Sequence, residues 1–453
     1  MRNGAVHDWR TRFTASLSRL VDNRAGIIKT LHESPLSPGA PRFSHVYALA
    51  SNTRAFCGQR NFANSGGAAA DVVTAAAKAV GEAVERYCGA IFDMDEFPLT
   101  SAAAAGFNCV DPASFALHSP EQYARKGFVY VPFTEDTTVR WSPMADAATG
   151  EVVWAPAGMV YVPYFYHTHG DGRRDAPVAQ PISTGLACHV NPVKAAISAI
   201  CEVVERDSVM LHWQAMLAPP RIMVESLSDY NYDLVTRFES VGLEVVMFDL
   251  TTDLGIPTIL SAIRSERPGE PAFIVAASTE PDPESAARKS LEELAHTRRY
   301  AHLVKRFSTD KALSAAPGND FNVKAQQDHL LFWSRQDRLP LTDFLFASKR
   351  RIEFDDVTPL ANRGDVDGTI LAKMVNALGA AGHRTLLAEL TTPDVADAGF
   401  AVVRAIVPGL HPMFMGHSDR ALGGRRLLEA PERMGHAPFD PGRGDNMYPH
   451  PYP

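Results

Sequence analysis

The chain reads as an α/β protein with mixed sheets, flanking helices and a weak internal duplication. Two repeats predict this. In the first, Gly81-Glu82-Ala83-Val84-Glu85-Arg86-Tyr87 and Cys201-Glu202-Val203-Val204-Glu205-Arg206-Asp207 each end an apolar helical segment that follows a glycine-containing turn. In the second, residues 245–252 and 385–392 each read as a buried strand closing on an acidic residue and Leu-Thr-Thr. Each of these precedes a further strand, residues 257–263 and 401–407.

Element by element, a helix is expected over residues 9–22. The loop Ser34-Pro35-Leu36-Ser37-Pro38-Gly39-Ala40-Pro41 then breaks regular structure, and a strand is expected near residues 46–50. Asn64-Ser65-Gly66-Gly67-Ala68-Ala69-Ala70-Asp71 reads as a glycine turn running into a helix over residues 72–88, with backbone N–H groups and the helix dipole suited to an anion. The Gly-x-x-x-x-Gly-Lys-Ser/Thr loop of P-loop proteins does not occur. Residues 128–133 and 160–165 are rich in Val, Tyr and Phe and are broken by proline, so short strands are expected there. His167-Thr168-His169 has strand spacing for a shared metal but no third ligand nearby, and reads as a solvated loop. A second turn, Ser183-Thr184-Gly185-Leu186-Ala187-Cys188-His189, leads into a helix over residues 193–212. A further helix is expected over residues 284–306.

Composition bounds the function. The 453 residues are 45% hydrophobic, enough for a large core, and the formal net charge of −8 is spread without long runs. A nucleic-acid groove and an anionic membrane surface are therefore disfavoured, and a peptide or small-molecule partner is favoured. The N-terminus carries no signal-peptide pattern and no apolar run is long enough to span a bilayer, so a cytoplasmic protein is expected. The five cysteines include no Cys-x-x-Cys pair, which argues against a disulfide framework and a zinc knuckle.

On a helix, each Glu-x-x-Glu-Arg copy puts two carboxylates and a guanidinium at one end of an apolar segment. One copy alone has the spacing of ordinary helix salt bridges. Two copies suggest hard oxygen ligands for divalent cations and arginines for phosphate, hence a magnesium nucleotide site. Lys289 and Glu293, one turn apart, read either as a surface ion pair or as a phosphate-and-metal pair. The tail, ending Tyr448-Pro449-His450-Pro451-Tyr452-Pro453, is stiffened by alternating prolines and suited to lying in a groove.

Taken in order, Ser65-Gly66-Gly67, the first charged motif, Ser183-Thr184-Gly185, the second charged motif, Lys289 to Arg298, Leu390-Thr391-Thr392-Pro393-Asp394 and the segment from Val402 to Leu410 resemble the YcaO family. The terminal Pro449-x-Pro451-x-Pro453 is similar to the tail of its azoline-forming members, the cyclodehydratases (D proteins) of thiazole/oxazole-modified peptide biosynthesis. The resemblance implies a YcaO-type ATP-binding fold over residues 61–430, after a lead-in of residues 1–60 and before a Pro-rich tail of residues 431–453. It implies ATP and Mg2+, with Glu82, Glu85, Glu202 and Glu205 on the metal and Ser65, Arg86, Ser183, Arg206, Lys289 and Glu293 on the nucleotide. It further implies a catalytic Pro453 whose carboxylate helps move a proton. Where the family's commonest pattern has Asn and Glu, this chain has Val190 and Lys194, which leaves one ligand position to another residue such as Asn191. Expected partners are a ribosomal precursor peptide, a separate leader-peptide-recognition protein, a flavin dehydrogenase and a second copy of the chain. A thioamide- or amidine-forming enzyme, or a nucleotide-binding scaffold subunit, is the alternative.

Overall fold

The computed structural model describes residues 3–115, 117–167, 172–308, 322–362 and 364–452, with side chains from Trp9 onward. Pro453 and His169 lie outside the described residues. The chain forms two compact units from interleaved segments. The first comprises Met1–Ser34, Ser44–Val203 and Val366–Gly409; the second comprises Pro35–Phe43, Val204–Asp365 and Leu410–Pro453.

The first unit holds two antiparallel sheets. In the smaller one, Ile28–Ser34, Ser44–Ala50 and Asn64–Ala69 lie side by side in that order. The larger runs Leu99–Thr100, Val139–Asp146, Leu386–Glu389, Ala401–Ile406, Leu186–His189, with Val152–Pro156 also paired to Val139–Asp146. The helix Val72–Cys88 buries Ala75, Ala79, Val80, Ala83, Val84, Tyr87 and Cys88 in a core shared with Val46, Ala48, Ala69, Leu186 and Val402. That apolar stripe is why the segment is helical and why its charged residues fall on the other face. Asp71 caps it, accepting from the backbone N–H groups of Val73 and Thr74 at 3.1 Å each.

The second unit is built on a five-stranded sheet ordered Phe273–Thr279, Thr258–Arg264, Val246–Asp249, Arg221–Ile222, Arg351–Ile352, of which only the last pair is parallel. The helix Pro283–Phe307 packs on the first two strands and starts at Asp282, whose carboxylate accepts from Glu284 N. The helix Pro192–Gln214 is continuous from the segment assigned to the first unit into the second.

The duplication predicted from the Leu-Thr-Thr segments is a matching hairpin in each unit. Val246–Asp249 pairs antiparallel with Thr258–Arg264, and Leu386–Glu389 with Ala401–Ile406. In one, Leu250 N donates to Thr258 O and Thr258 N to Thr251 Oγ1; in the other, Leu390 N donates to Val402 O and Val402 N to Thr391 Oγ1. The threonine after the leucine thus takes a strand N–H in both.

Three expectations are corrected. Residues 64–69, read as a turn, form a strand, and Gly67 serves close packing: a Cβ there would lie 2.5 Å from Ala75 O and 2.6 Å from Lys78 Cβ. Residues 128–133 are not a strand, because Pro132 cannot donate to a ladder; Val131 N instead reaches Pro177 O. Residues 160–165 likewise leave a short helix, Ala157–Val160, and run irregularly past Pro163.

Candidate nucleotide and metal site

In the first unit the Glu-x-x-Glu-Arg motif ends the Val72–Cys88 helix. Glu82 Oε2 accepts from Gly66 N at 2.8 Å, so the strand that supplies the glycines also orients the carboxylate. Arg86 pairs with Glu82 and donates to Asn64 O. The spacing of an ordinary helix salt bridge is therefore realised in this copy. Ser65 is buried and donates to Ala79 O at 2.9 Å, fixing strand to helix.

Glu85 and Glu202 complete this charged cluster. Glu85 Oε1 accepts from Cys188 N at 2.8 Å, and Glu202 Oε2 from Gly185 N at 3.0 Å. Gly185 is required on two counts: its φ is +85°, and a Cβ would lie 2.4 Å from Ala405 O. Half-buried Ser183 belongs to the same turn, its carbonyl accepting from Leu186 N at 2.9 Å. Burial first, and the charges of Glu202 and Glu82 after it, push the Glu85 carboxyl up to about 8 against the Cys188 hydrogen bond. Arg404, 4% exposed, donates to Met159 O and Ile182 O beside this turn and senses Glu202. It was not singled out from the sequence; its signal was its place inside the Val402 to Leu410 match.

The departures have defined partners. Val190 packs against the core, and Asn191 Oδ1 caps the helix by accepting from Val193 N at 2.9 Å. Its amide donates to Asp367 Oδ2 at 3.2 Å, and Lys194 Nζ lies 3.9 Å from Asp367 Oδ1.

In the second unit, Glu205 Oε2 accepts from Thr279 N at 3.1 Å, and its Oε1 takes both Arg206 Nη1 at 2.8 Å and the Tyr452 hydroxyl at 2.6 Å. Here the arginine pairs with its immediate neighbour. Arg206 also lies over the Tyr452 ring, 4.6 Å from its centroid. Lys289 pairs with Glu280, the residue after the edge strand Phe273–Thr279, a partner the sequence did not reveal. Glu293 is half-buried and its charge reaches the Tyr452 phenol, helping raise its pKa after burial.

These residues offer hard carboxylate oxygens with arginine and lysine beside them, the donor chemistry that Mg2+ and phosphate require. Burial, with the charges of Glu202 and Glu82 second to it, is what raises Glu85. Among the described residues no three His, Cys, Asp or Glu side chains converge as a metal cage. Mg2+ does not need one, since it is commonly held by one or two carboxylates, waters and the phosphates themselves.

The family model described as YcaO cyclodehydratase, ATP- and Mg2+-binding, matches residues 66–411. The chain belongs to the YcaO family. As a YcaO protein it carries the fold of a family that binds ATP and Mg2+. Among solved structures, a heterocyclase in complex with substrate and cofactor is 21% identical with a TM-score of 0.76, covering 97% of this chain and 57% of that one. A YcaO protein from Methanopyrus kandleri, bound with AMPPCP and Mg2+, is 16% identical with a TM-score of 0.62, covering 92% and 93%. A chain of the E. coli microcin synthetase McbBCD complex with pro-MccB17 bound is 15% identical with a TM-score of 0.59, covering 96% and 99%. At these identities the likeness is one of fold. The chain spans little more than half the length of the heterocyclase.

Among the described residues no helix is long and apolar enough to cross a membrane.

Proposed function

We propose that the chain is the ATP-dependent subunit that converts Cys, Ser or Thr residues of a ribosomal precursor peptide into thiazoline or oxazoline rings. The observation that carries this reading is the Glu82, Glu85 and Glu202 cluster, with Glu85 pushed up to about 8 by burial and by its neighbours' charge, in a chain of the YcaO family. In the reaction, the side-chain sulfur or oxygen attacks the preceding amide carbon. The resulting oxyanion takes the γ-phosphoryl group and ADP leaves; phosphate then departs with the former amide oxygen as the ring C=N bond forms and the amide proton is lost. An amide oxygen is a poor leaving group, and phosphorylation makes it a good one.

Glu82, Glu85, Glu202 and Glu205 are proposed to hold Mg2+ directly or through water, and Arg86, Arg206 and Lys289 to meet phosphate oxygens. Bound Mg2+ supplies neutralisation of the charge that develops during phosphoryl transfer. Ser65 and Ser183 shape the nucleotide side through the strand and turn they fix, and Glu293 adds an acidic group near Tyr452. The Pro453 carboxylate is proposed to move a proton. A separate leader-recognition protein, a flavin dehydrogenase and a second copy of the chain are the proposed partners; the multi-protein microcin synthetase of similar fold supports an assembly of this kind.

Val190 and Lys194 favour one second reading, a nucleotide-binding subunit without turnover of its own. Incubation with ATP, Mg2+, the recognition partner and the precursor peptide separates the two by peptide mass. Loss of one water per ring is expected; oxygen-to-sulfur exchange indicates thioamidation, and unchanged mass with intact ATP binding indicates the scaffold.

A further inference from the structure

Every residue from Tyr448 to Pro453 is a proline or immediately precedes one. Proline fixes φ near about −65°, disfavours helical geometry in its predecessor and has no N–H, so residues 448–452, which bend at Tyr448 and Pro451, offer carbonyls and few N–H groups. Within the second unit, three consecutive carbonyls each meet a ring nitrogen, two of them an indole N–H. Trp213 Nε1 donates to Tyr448 O at 3.0 Å, Trp333 Nε1 to Pro449 O at 2.9 Å, and His329 Nδ1 faces His450 O at 2.8 Å. All three rings are buried, at 3%, 1% and 0% exposure. They are braced by one another and by the tail: the indoles meet edge to face at 5.4 Å, and His329 stacks on His450 with centroids 3.9 Å apart. Asn446 N donates to Gln214 O at the entry to this run, and Tyr452 lies beyond it on Glu205.

An indole N–H only donates, so two buried indoles aimed at successive carbonyls have no use for a neighbour that lacks an acceptor. We infer that Trp213, Trp333 and His329 form a carbonyl-reading groove for a proline-alternating peptide, occupied by the chain's own tail. Its register sets where Tyr452 meets Glu205 and Arg206. The three are positioning residues. His329 is the releasable member: its Nε2 lies 2.8 Å from Met415 O, carbonyls only accept, and a neutral ring serves one of the two at a time. The link from groove to turnover rests on the proposed function; the groove itself does not.

The test uses the full chain with Trp213→Phe, Trp333→Phe and both together, which keep an aromatic ring and delete the N–H. Hydrogen exchange is followed at the His450 and Tyr452 amides, with the Pro283–Phe307 helix as internal reference. Each substitution is expected to speed tail exchange roughly fivefold to tenfold, the double variant by the product, with the reference helix unchanged. His329→Gln, which keeps a donor, should retain protection that His329→Leu loses. Tail exchange that stays at the unsubstituted rate in the double variant, or rises only in step with the reference helix, overturns the inference. No turnover is needed for this readout, so it stands or fails apart from the cyclodehydration reading.

Discussion

Glu205 accepts from Thr279 N, Arg206 and Tyr452. Gln keeps the size but removes the charge and turns one of the two accepting oxygens into a donating amide, so Glu205→Gln should keep the circular dichroism spectrum with a modestly lower melting temperature while ATP-dependent turnover falls roughly 100-fold or more. Glu82→Gln should behave likewise, since Gly66 N retains an acceptor. Unaltered turnover in either would remove that residue from the metal site. The charged residues were legible because Glu-x-x-Glu-Arg recurs at the same place on two apolar helices. Their partners were only partly so. The one-turn spacing points to Arg86 with Glu82, but nothing local says that Arg206 takes its neighbour or that Lys289 turns to Glu280. Those choices depend on which strand N–H groups already hold each carboxylate.

At the scale of elements, strand and helix are locked by small residues and caps. Gly67→Ala would put a Cβ 2.5 Å from Ala75 O, a contact with rigid backbone. Thermal or denaturant unfolding should register a loss of about 1–3 kcal/mol. Asp71→Ala removes the cap that satisfies Val73 N and Thr74 N and should cost about 1 kcal/mol in the same measurement. The long helices and the Leu-Thr-Thr hairpins were readable because their apolar periodicity is strong and their turn threonines recur. The strand over residues 64–69 was not, since Ser, Gly and Ala carry little β preference and the segment is extended because it pairs with Ser44–Ala50 and packs against the Val72–Cys88 helix. Residues 128–133 and 160–165 erred the other way: aromatic and β-branched composition promised strands that Pro132 and Pro163 deny.

On the scale of the whole molecule, the interleaving of two units was not legible, because residues distant in sequence, such as 35–43 and 410–453, join one unit through contacts that leave no periodic trace. The second unit concentrates buried neutral histidines. Burial is the leading cause that lowers His212 and His411 to about 4 and His417 to about 3, from an ordinary 6.5. Between those values each of these histidines binds a proton more readily in the unfolded chain, so their joint contribution to stability rises with pH through this window and outweighs that of Glu85, which, raised to about 8, acts in the opposite sense above about pH 4.5. The melting temperature should be full above about pH 6.5 and fall as the pH drops toward 4. A flat profile from pH 7 to 4.5 contradicts that reading. The same unit carries the fully buried Asp207, held by Arg426 through two contacts of 2.8 and 2.7 Å. Arg426→Met leaves that carboxylate unpaired and should destabilise by about 3–5 kcal/mol.

The central claim is that the backbone amide oxygen leaves the peptide on phosphate. It is tested most directly by labelling the amide oxygen before a target Cys, Ser or Thr of the precursor with oxygen-18 and allowing ring formation with ATP, Mg2+ and the recognition partner. One labelled oxygen is expected in the released inorganic phosphate for each ring formed, with none in ADP. Rings formed while the phosphate stays unlabelled would contradict it.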